Sequence, residues 1–484
     1  MRLCLRLRWL RLCLRWGWSL VERDNVSFIG RFTNKKNRNE IPVIKPGVYH
    51  FVKSDDQQKT RVHLRIEPDG NGLLLVNAAK SFQLNPSAAF MAFLALHETN
   101  LHEAIHSIKS KFNVSTKKAS LDYQSFSLQL KELIEPDGLC PICDLDLETS
   151  APFSTRPFAP YRMDLAITYR CNNACAHCYN ARSRNYPELT TSEWKQVIDR
   201  LWEIGIPHIV FTGGEPTLRD DLPELIAYAE NKGQITGINT NGRRLKDPKY
   251  VSELVSAGLD HVQITLESHL PDIHDQMVRH PGAWEETVAG IKNVVATRLY
   301  GMTNTTMLKN NAPYLAGTLD FLAELGLPTV GLNALIYSGH GKEVDTGLNE
   351  KDLEPLLFMA REKTDAHQQK LIWYTPTQYC HFDPMQLDLG IKGCTAALFN
   401  MCIEPDGSVI PCQSYYSSLG KILEKDWSEI WDQDLAVHLR ERRNLPQECQ
   451  LCSFVSECGG GCPLALSKFE PHRIEYPIHV YMED

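Results

Sequence analysis

Residues 171–180 read Cys-Asn-Asn-Ala-Cys-Ala-His-Cys-Tyr-Asn, and they follow an apolar, strand-like run from Met163 to Tyr169. This stretch places Cys171, Cys175 and Cys178 in the spacing CxxxCxxC. Three neighbouring thiolates can bind three irons of a cubane cluster, because Cys sulfur is the usual ligand of iron-sulfur clusters. The fourth iron would then be open to a small molecule. The alternatives are a structural zinc site or buried free thiols.

The pattern around this stretch predicts an α/β fold. Strand-like runs begin near residues 163, 208, 235, 262, 303 and 329, with helical patterns such as Ser192 to Ile204 between them. This alternation predicts parallel strands joined by right-handed crossovers. Six such units over residues 162–345 would form a partial, TIM-like (β/α)6 barrel. Active sites of such barrels lie at the carboxyl ends of the strands, where the cysteine loop is expected.

Glycine-rich and polar motifs end the next three predicted strands. The candidate ligand-binding residues in these motifs are Gly213, Gly214, Glu215 and Pro216 after the second strand, Asn239 and Asn241 after the third, and Thr265, Glu267 and Ser268 after the fourth. The glycines allow the backbone to approach a ligand closely.

Together with CxxxCxxC, these motifs resemble the radical S-adenosylmethionine (radical SAM) superfamily, whose signature is CxxxCx(aromatic)C. His177 occupies the aromatic position here, and Glu267 replaces a commoner Asp. The resemblance implies a [4Fe-4S] cluster on the three cysteines that binds and reductively cleaves S-adenosylmethionine. It also implies that the motif residues bind this cofactor, with Glu215 accepting from the ammonium of its methionine moiety.

A second group of cysteines lies near the carboxyl terminus. Cys394, Cys412, Cys449, Cys452, Cys458 and Cys462 follow the spacing Cx12Gx4C and then CxxCx5Cx3C. This spacing resembles the SPASM domain, the auxiliary-cluster module of radical SAM peptide maturases, which would cover residues 380–484 after a helical connector at 346–379.

The SPASM resemblance implies one or two auxiliary iron-sulfur clusters. It assigns Cys394, Cys412 and Cys462, with Cys380 as the fourth ligand, to auxiliary cluster I, and Cys449, Cys452 and Cys458 to auxiliary cluster II. The family's last cysteine, expected beyond Cys462, is missing. Cluster II would then use Glu470, His472, His479 or Cys402, leave an iron open, or be replaced by zinc. Cys402 could also displace Cys380 as a ligand.

Residues 41–134 have the pattern of a separate winged-helix-like α+β domain. Strand-like runs at Val62 to Ile66 and Gly72 to Val76 precede a helix capped by Asn85 with Pro86 in its first turn. The order of hairpin, LVNAAKSFQLNPSAA and three helices resembles the peptide chaperone of pyrroloquinoline quinone biosynthesis. That resemblance implies a recognition element on which a leader peptide adds a strand to the sheet edge. A generic winged helix with only a structural role is the alternative.

Composition limits the function classes. The 484 residues favour two to four domains, and the net charge of -8 argues against nucleic-acid binding as the main function. The sequence has no uninterrupted run of eighteen apolar residues, so no membrane span is predicted. Fifteen cysteines without a secretory signal favour metal binding in a reducing, cytoplasmic compartment.

Two further segments are less informative. Residues 1–40 are expected to form a poorly ordered basic tail, with membrane-surface adhesion as the alternative. The linker at 135–161 contains Cys140 and Cys143 in a CPxC turn, which is half of a zinc knuckle, and free thiols or a labile disulfide are the simpler interpretation.

These resemblances imply a radical SAM enzyme that oxidatively modifies or crosslinks a ribosomally made peptide, with flavodoxin or ferredoxin as the reductant. A second hypothesis is the maturation of a small molecule such as a tetrapyrrole. A third, from another class, is a non-catalytic electron-transfer or peptide-binding protein. No catalytic acid or base stands out, since Gln413 follows Cys412 where some peptide-oxidising relatives carry Asp.

Overall fold

The computed structural model describes residues 44–54, 59–77, 80–134, 157–443 and 445–469. The chain divides into two compact units between Leu147 and Glu148. Several residues considered above lie outside the described ranges: the tail at 1–40, Cys140 and Cys143, and Glu470, His472 and His479.

The first unit is an antiparallel sheet followed by three helices. Its strands are β1 (Gly47–Ser54), β2 (Lys59–Ile66), β3 (Gly72–Val76) and β4 (Lys80–Leu84), in the spatial order β1-β2-β3-β4. Its helices are α1 (Pro86–Leu96), α2 (Leu101–Lys111) and α3 (Thr116–Ile134).

Local sequence explains the helices of this unit. The Asn85 side chain accepts a hydrogen bond from the Ala88 amide, with Pro86 in the first turn of α1, as predicted. Phe90, Phe93 and Leu94 on α1 are buried. They pack with buried residues of α3 and of the sheet into one apolar core. The predicted hairpin and three helices are therefore confirmed, and β1 and β4 add the two outer strands.

The second unit contains one mixed sheet of ten strands. They are β5 (Arg162–Thr168), β6 (His208–Gly213), β7 (Ile235–Thr240), β8 (His261–Thr265), β9 (Tyr300–Thr306), β10 (Thr329–Asn333), β11 (Lys370–Trp373), β12 (Asn400–Ile403), β13 (Ser408–Ile410) and β14 (Gly420–Lys421). Their spatial order is β11-β10-β9-β8-β7-β6-β5-β12-β13-β14.

Helices connect these strands in the order that the sequence predicts. They are α4 (Thr191–Ile204), α5 (Leu222–Lys232), α6 (Pro248–Ala257), α7 (Pro271–Val278), α8 (Ala283–Val295), α9 (Leu315–Glu324) and α10 (Glu350–Ala366), followed by the shorter α11 (Trp427–Trp431), α12 (Asp434–Arg440), α13 (Val455–Cys458) and α14 (Pro463–Phe469). Helix α4 shows the sequence logic: Thr190 and Glu193 form a capping box, and Gly205 ends the helix in the left-handed conformation.

Strands β5 to β10 are the six parallel strands predicted for the barrel, so the α/β fold class is confirmed. Apolar side chains of these strands and their helices, such as Ile167, Phe211 and Leu201, form a continuous buried core. Their carboxyl ends meet at one rim, which is where the cysteine loop follows β5.

The sheet extends further on both sides than the sequence indicates. The segment 346–379, expected to be a helical connector, contains α10 and also β11, which pairs with β10 in parallel. On the other side, β12 pairs in parallel with β5 and starts an antiparallel hairpin with β13. The hairpin that precedes Cys412 is therefore built directly onto the first barrel strand.

None of the helices in the described part of the chain combines the length and apolar character that crossing a lipid bilayer requires.

Candidate active site

Contacts from two other segments hold the backbone of the cysteine loop. At the end of α7, the Val278 carbonyl accepts from the Ala174 amide and the Met277 carbonyl accepts from the Ala176 amide, and both hydrogen bonds are 3.0 Å long. On the other side, the Gly341 amide donates to the Cys178 carbonyl at 3.3 Å. The loop is therefore fixed by the segments that follow β8 and β10, and not by its own residues alone.

Close backbone approach explains the glycines around this loop. A Cβ atom at Gly214 would lie 2.4 Å from the Arg170 carbonyl oxygen, and one at Gly213 would lie 2.0 Å from that of Thr168. A Cβ at Gly339 would lie 2.5 Å from the Asn180 carbonyl oxygen. Any side chain at these three positions would push the cysteine loop out of place.

Two arginines that the sequence analysis missed also hold the loop. Arg184 donates to the carbonyls of Cys171, at 2.6 Å, and Asn173. Arg243 donates to the Asn172 carbonyl at 2.7 Å and to the Asn173 side-chain oxygen at 3.0 Å. Neither arginine belongs to a motif that the sequence analysis used, since both act through backbone and amide oxygens that only the folded loop presents.

The donor chemistry of this loop fits an iron-sulfur cluster. Burial raises the pKa of the Cys171 thiol to about 11, and the neighbouring Cys178 thiolate adds to this effect while Arg184 opposes it. Burial likewise raises the pKa of Cys175 and Cys178. Buried thiols of this kind ionise when a metal supplies the compensating positive charge.

Within the described ranges, no group of three or more His, Cys, Asp or Glu side chains is arranged to hold one metal ion. In a cubane cluster each thiolate binds a separate iron, so the three thiols of this loop are suitable ligands for an iron-sulfur cluster.

Glu215 is buried and connects three elements of the rim. Its Oε1 atom accepts hydrogen bonds from the Thr217 amide, the Thr217 hydroxyl and the Thr240 hydroxyl. Its Oε2 atom accepts from the Asn241 amide at 2.7 Å. Burial raises the pKa of Glu215, while these hydrogen bonds lower it. The carboxylate thus orders the turns after β6 and β7. This role is additional to the ammonium binding that the resemblance implies for Glu215.

The other predicted cofactor-binding residues lie on the same rim. Asn239, on β7, and Thr265, at the end of β8, are half-buried. Asn241 donates from its side chain to the Asn172 side-chain oxygen at 2.6 Å, which links the third strand to the cysteine loop. Pro216 begins a buried turn after β6. The Ser268 hydroxyl accepts from the Leu270 amide at 3.1 Å and thereby shapes the start of α7.

His177 and Glu267, the two departures from the commoner family pattern, contact each other. His177 Nε2 lies 2.9 Å from Glu267 Oε1, and both side chains are almost fully buried. The second oxygen of Glu267 accepts from the Thr306 amide at 2.9 Å. The pair therefore links the cysteine loop to β9, across ninety residues of sequence.

We predict that His177→Phe lowers 5′-deoxyadenosine release by roughly tenfold, because one oxygen of Glu267 loses its partner and a buried unpaired group costs about 1–3 kcal/mol. The double variant His177→Phe/Glu267→Gln should recover part of the rate, since no unpaired charge remains. Reverse-phase chromatography of the nucleoside product measures both effects. His340→Phe, at an exposed histidine, is the control. A double variant slower than the single variant would contradict the pairing.

Buried polar atoms without protein partners also line this rim. His177 Nδ1, His274 Nε2, Asn333 Oδ1 and Ser338 Oγ are buried and lack a hydrogen-bond partner among the described residues. Such atoms are rare in folded proteins, because each costs free energy unless a partner is supplied. Their position at the strand ends fits a polar cofactor that supplies those partners.

The hairpin before Cys412 also contacts the cysteine loop. The Tyr179 hydroxyl donates to the Gln413 side-chain oxygen at 3.2 Å, and these residues directly follow Cys178 and Cys412. Nearby, Arg182 forms two hydrogen bonds with the buried carboxylate of Glu404, at 2.7 and 3.0 Å. Residues next to the two cysteine groups are therefore in direct contact.

One contact bears on the ligand assignment that the resemblance implies for the carboxy-terminal cysteines. That assignment joins Cys380 to Cys394, Cys412 and Cys462. The chain neighbour of Cys380, Tyr379, lies against Cys458, since the Tyr379 amide donates to Cys458 Sγ at 3.4 Å. Cys402 lies on β12 in an apolar cluster with Ala166, Tyr169, Ile410 and Tyr416.

Comparison with known proteins agrees with this geometry. The family model of the radical SAM superfamily matches residues 165–322. That of the SPASM iron-sulfur cluster-binding domain matches residues 394–453. The chain therefore contains a radical SAM domain followed by a SPASM domain. These two domains imply a [4Fe-4S] cluster with S-adenosylmethionine and auxiliary iron-sulfur clusters as cofactors.

Individual relatives differ in what they act on. The AdoMet-dependent heme synthase of Methanosarcina barkeri is 28% identical over 340 residues, which is 67% of this chain and 97% of the relative. The PqqA peptide cyclase of Ruegeria pomeroyi is 29% identical over 64% of this chain and 84% of the relative. The structure of Streptococcus suis SuiB bound to precursor peptide SuiA has a TM-score of 0.62 at 15% identity, covering 86% of this chain and 97% of that one.

Proposed function

We propose that this radical SAM enzyme modifies a ribosomally made peptide by oxidation or crosslinking. The observation that carries the proposal is the sheet of the first unit, whose outer strands β1 and β4 each pair with one neighbour among the described residues. The outer strand of a sheet is where an extended peptide binds by strand addition. A leader segment docked there would leave the rest of the peptide for the barrel.

The fold of SuiB, which was solved with its precursor peptide, supports this proposal because the likeness spans 86% of the chain. The PqqA peptide cyclase is a second relative whose name includes a peptide. Both comparisons support a peptide as the class of substrate and leave its sequence open.

The residues of the barrel rim would hold the cofactors. Cys171, Cys175 and Cys178 would bind the cluster, while the Glu215 network and the turn at Asn241 would shape the site for S-adenosylmethionine. When bound, the cluster supplies the electron that cleaves S-adenosylmethionine to methionine and a radical able to abstract a substrate hydrogen. The buried loop contacts described above would keep water away from this rim. A flavodoxin or ferredoxin would supply the electron.

Gln413 bears on the type of reaction. Its side-chain oxygen accepts from Tyr179 at the contact between the two cysteine groups. An amide does not take up a proton near neutral pH, so this position does not supply a general base. The proposed modification would therefore use another group, or solvent, wherever a substrate proton must leave.

A second candidate function is the maturation of a tetrapyrrole. The AdoMet-dependent heme synthase of Methanosarcina barkeri favours it, because the match covers 97% of that relative at a higher identity than the structural neighbours show. The first unit would then have a role other than leader binding.

The test uses the anaerobically reconstituted full chain with each short peptide encoded beside its gene. We expect one peptide to lose about two mass units per oxidation, and its addition to slow amide exchange in β1 or β4. The variant Cys171→Ala/Cys175→Ala/Cys178→Ala is the matched control, because it should bind the peptide without changing its mass. If S-adenosylmethionine is cleaved but no neighbouring peptide changes mass, the peptide proposal is wrong, and conversion of an iron porphyrin would favour the second candidate.

A further inference from the structure

Cys458 is packed against the segment that leads into Cys380. Its Sγ atom accepts from the Tyr379 amide at 3.4 Å and donates to the Thr377 carbonyl at 3.5 Å. Both contacts join positions about eighty residues apart in the sequence. The residue directly before Cys380 therefore touches the sulfur of a cysteine that the SPASM spacing places in auxiliary cluster II.

Further contacts fix these two segments together. The rings of Tyr379 and Phe454 lie 6.4 Å apart, and a Cβ atom at Gly461 would come within 2.9 Å of Gln378 Cγ. The chain turns tightly at this point, since Gly459, Gly460 and Gly461 all have positive φ. Residues 377–380 thus lie along the loop that contains Cys458.

Backbone hydrogen bonds join the other two cysteines to the same loop. The Cys452 amide donates to the Cys449 carbonyl at 3.1 Å, and the Val455 amide donates to the Cys452 carbonyl at 3.2 Å. Cys449, Cys452 and Cys458 therefore lie along one short segment, against which residues 377–380 pack. We call Cys380, Cys449, Cys452 and Cys458 the Cys458 set.

Cys394, Cys412 and Cys462 form a second set, which we call the Cys412 set. The backbone joins the segments of Cys394 and Cys412, because the Ala397 amide donates to the Pro411 carbonyl at 2.9 Å. Cys394 also lines a cavity with Pro463, the residue after Cys462.

We propose that Cys380 is the fourth ligand of the cluster held by Cys449, Cys452 and Cys458. On ligation, each of the four thiols loses its proton and its sulfur bonds one iron. The Cys412 set then holds the other auxiliary cluster with three thiolates and leaves one iron open to an added ligand.

The open iron has a consequence for the site. Gln413, next to Cys412, contacts Tyr179, next to Cys178. The auxiliary cluster with the exchangeable position is therefore the one whose loop touches the cysteine loop of the barrel. The cluster of the Cys458 set is fully ligated and suits electron transfer without binding a substrate.

The test isolates each auxiliary cluster in turn. Two multiple variants of the full chain serve as backgrounds, and both lack the barrel cluster because they carry Cys171→Ala, Cys175→Ala and Cys178→Ala. In background A the cysteines of the Cys412 set are also changed to Ala. In background B Cys449, Cys452 and Cys458 are also changed to Ala. Adding Cys380→Ala should change the electron paramagnetic resonance spectrum of the reduced cluster in A and increase its iron loss to a chelator severalfold, while B stays unchanged. Ser456→Ala, in the same loop as Cys458, is the control.

Each other outcome overturns part of the proposal. A spectral change in B, or no change in either background, would remove Cys380 from the Cys458 set. Imidazole should shift the spectrum in B and not in A, and the absence of a shift in B would refute the open iron. A spectral change in background B on adding Cys402→Ala would also refute the open iron. If a background fails to fold, the single variants Cys380→Ser and Cys458→Ser in the full chain should alter the same auxiliary signal, and different signals would refute the assignment.

Discussion

The triple variant Cys171→Ala/Cys175→Ala/Cys178→Ala is expected to lose 5′-deoxyadenosine release completely. These are the three cysteines of the loop after β5, and we propose that they bind the electron-donating cluster. Without that cluster, S-adenosylmethionine loses the iron that would bind and reduce it at this rim, and side chains do not carry this chemistry. Release is measured by chromatography of the nucleoside after reduction with dithionite.

Iron content gives the matched control for this variant. The triple variant should lose about four irons per chain and keep the iron bound by the carboxy-terminal cysteines. Cys402→Ala changes a cysteine outside the loop, in the apolar cluster beside β5, and should keep both the iron and the activity. Persistent nucleoside release from the triple variant would show that the cluster assignment is wrong.

Glu215→Gln is expected to weaken S-adenosylmethionine binding by roughly tenfold to a hundredfold, because a buried hydrogen bond lost to a charged group costs about 1–3 kcal/mol. Glutamine has the same shape, but its amide nitrogen cannot accept from either the Asn241 amide or the Thr217 amide. Two donors would then face each other at the turn that forms the rim. Equilibrium dialysis with the reconstituted protein measures the dissociation constant.

Asp220→Asn is the control for this change. Its carboxylate is 94% exposed and pairs with Arg244 at the surface, so the substitution should leave cofactor binding unchanged. Thermal unfolding of both variants separates a general loss of stability from a local effect. Glu215→Gln binding S-adenosylmethionine as tightly as the unchanged protein would contradict the structural role assigned to this carboxylate.

Much of the fold follows from local sequence. The alternation of strands and helices predicted the starts of β5 to β8 within one residue, because buried parallel strands and amphipathic helices differ in period. The capping residues Asn85 and Thr190 lie where short polar side chains can accept from the first helical amides. Gly213 and Gly214 indicated close backbone approach, which their proximity to the carbonyls of Thr168 and Arg170 explains.

The parts that could not be predicted depend on contacts between distant segments. Arg184 and Arg243 hold carbonyls of the cysteine loop, and a carbonyl leaves no mark on the sequence. The pairing of His177 with Glu267 joins residues ninety positions apart. Each of the two looked like an independent departure from the family pattern until their side chains were seen to share one hydrogen bond.

The position of Cys380 illustrates the same limit. The SPASM resemblance groups Cys380 with Cys394, Cys412 and Cys462. The contacts of Tyr379 and Thr377 with Cys458 Sγ bring the preceding segment against the loop that contains Cys458, and they are the basis for proposing the other grouping. In a small cysteine-rich domain, the ligand set is determined by which loops meet in space, which spacing alone does not determine.

The most direct test of the central claim is 5′-deoxyadenosine release by the anaerobically reconstituted full chain, supplied with S-adenosylmethionine and dithionite. We expect nucleoside and methionine in equal amounts, and no nucleoside from the triple cysteine variant. A fully reconstituted protein that binds S-adenosylmethionine but releases no nucleoside would contradict radical SAM catalysis and favour a non-catalytic iron-sulfur protein.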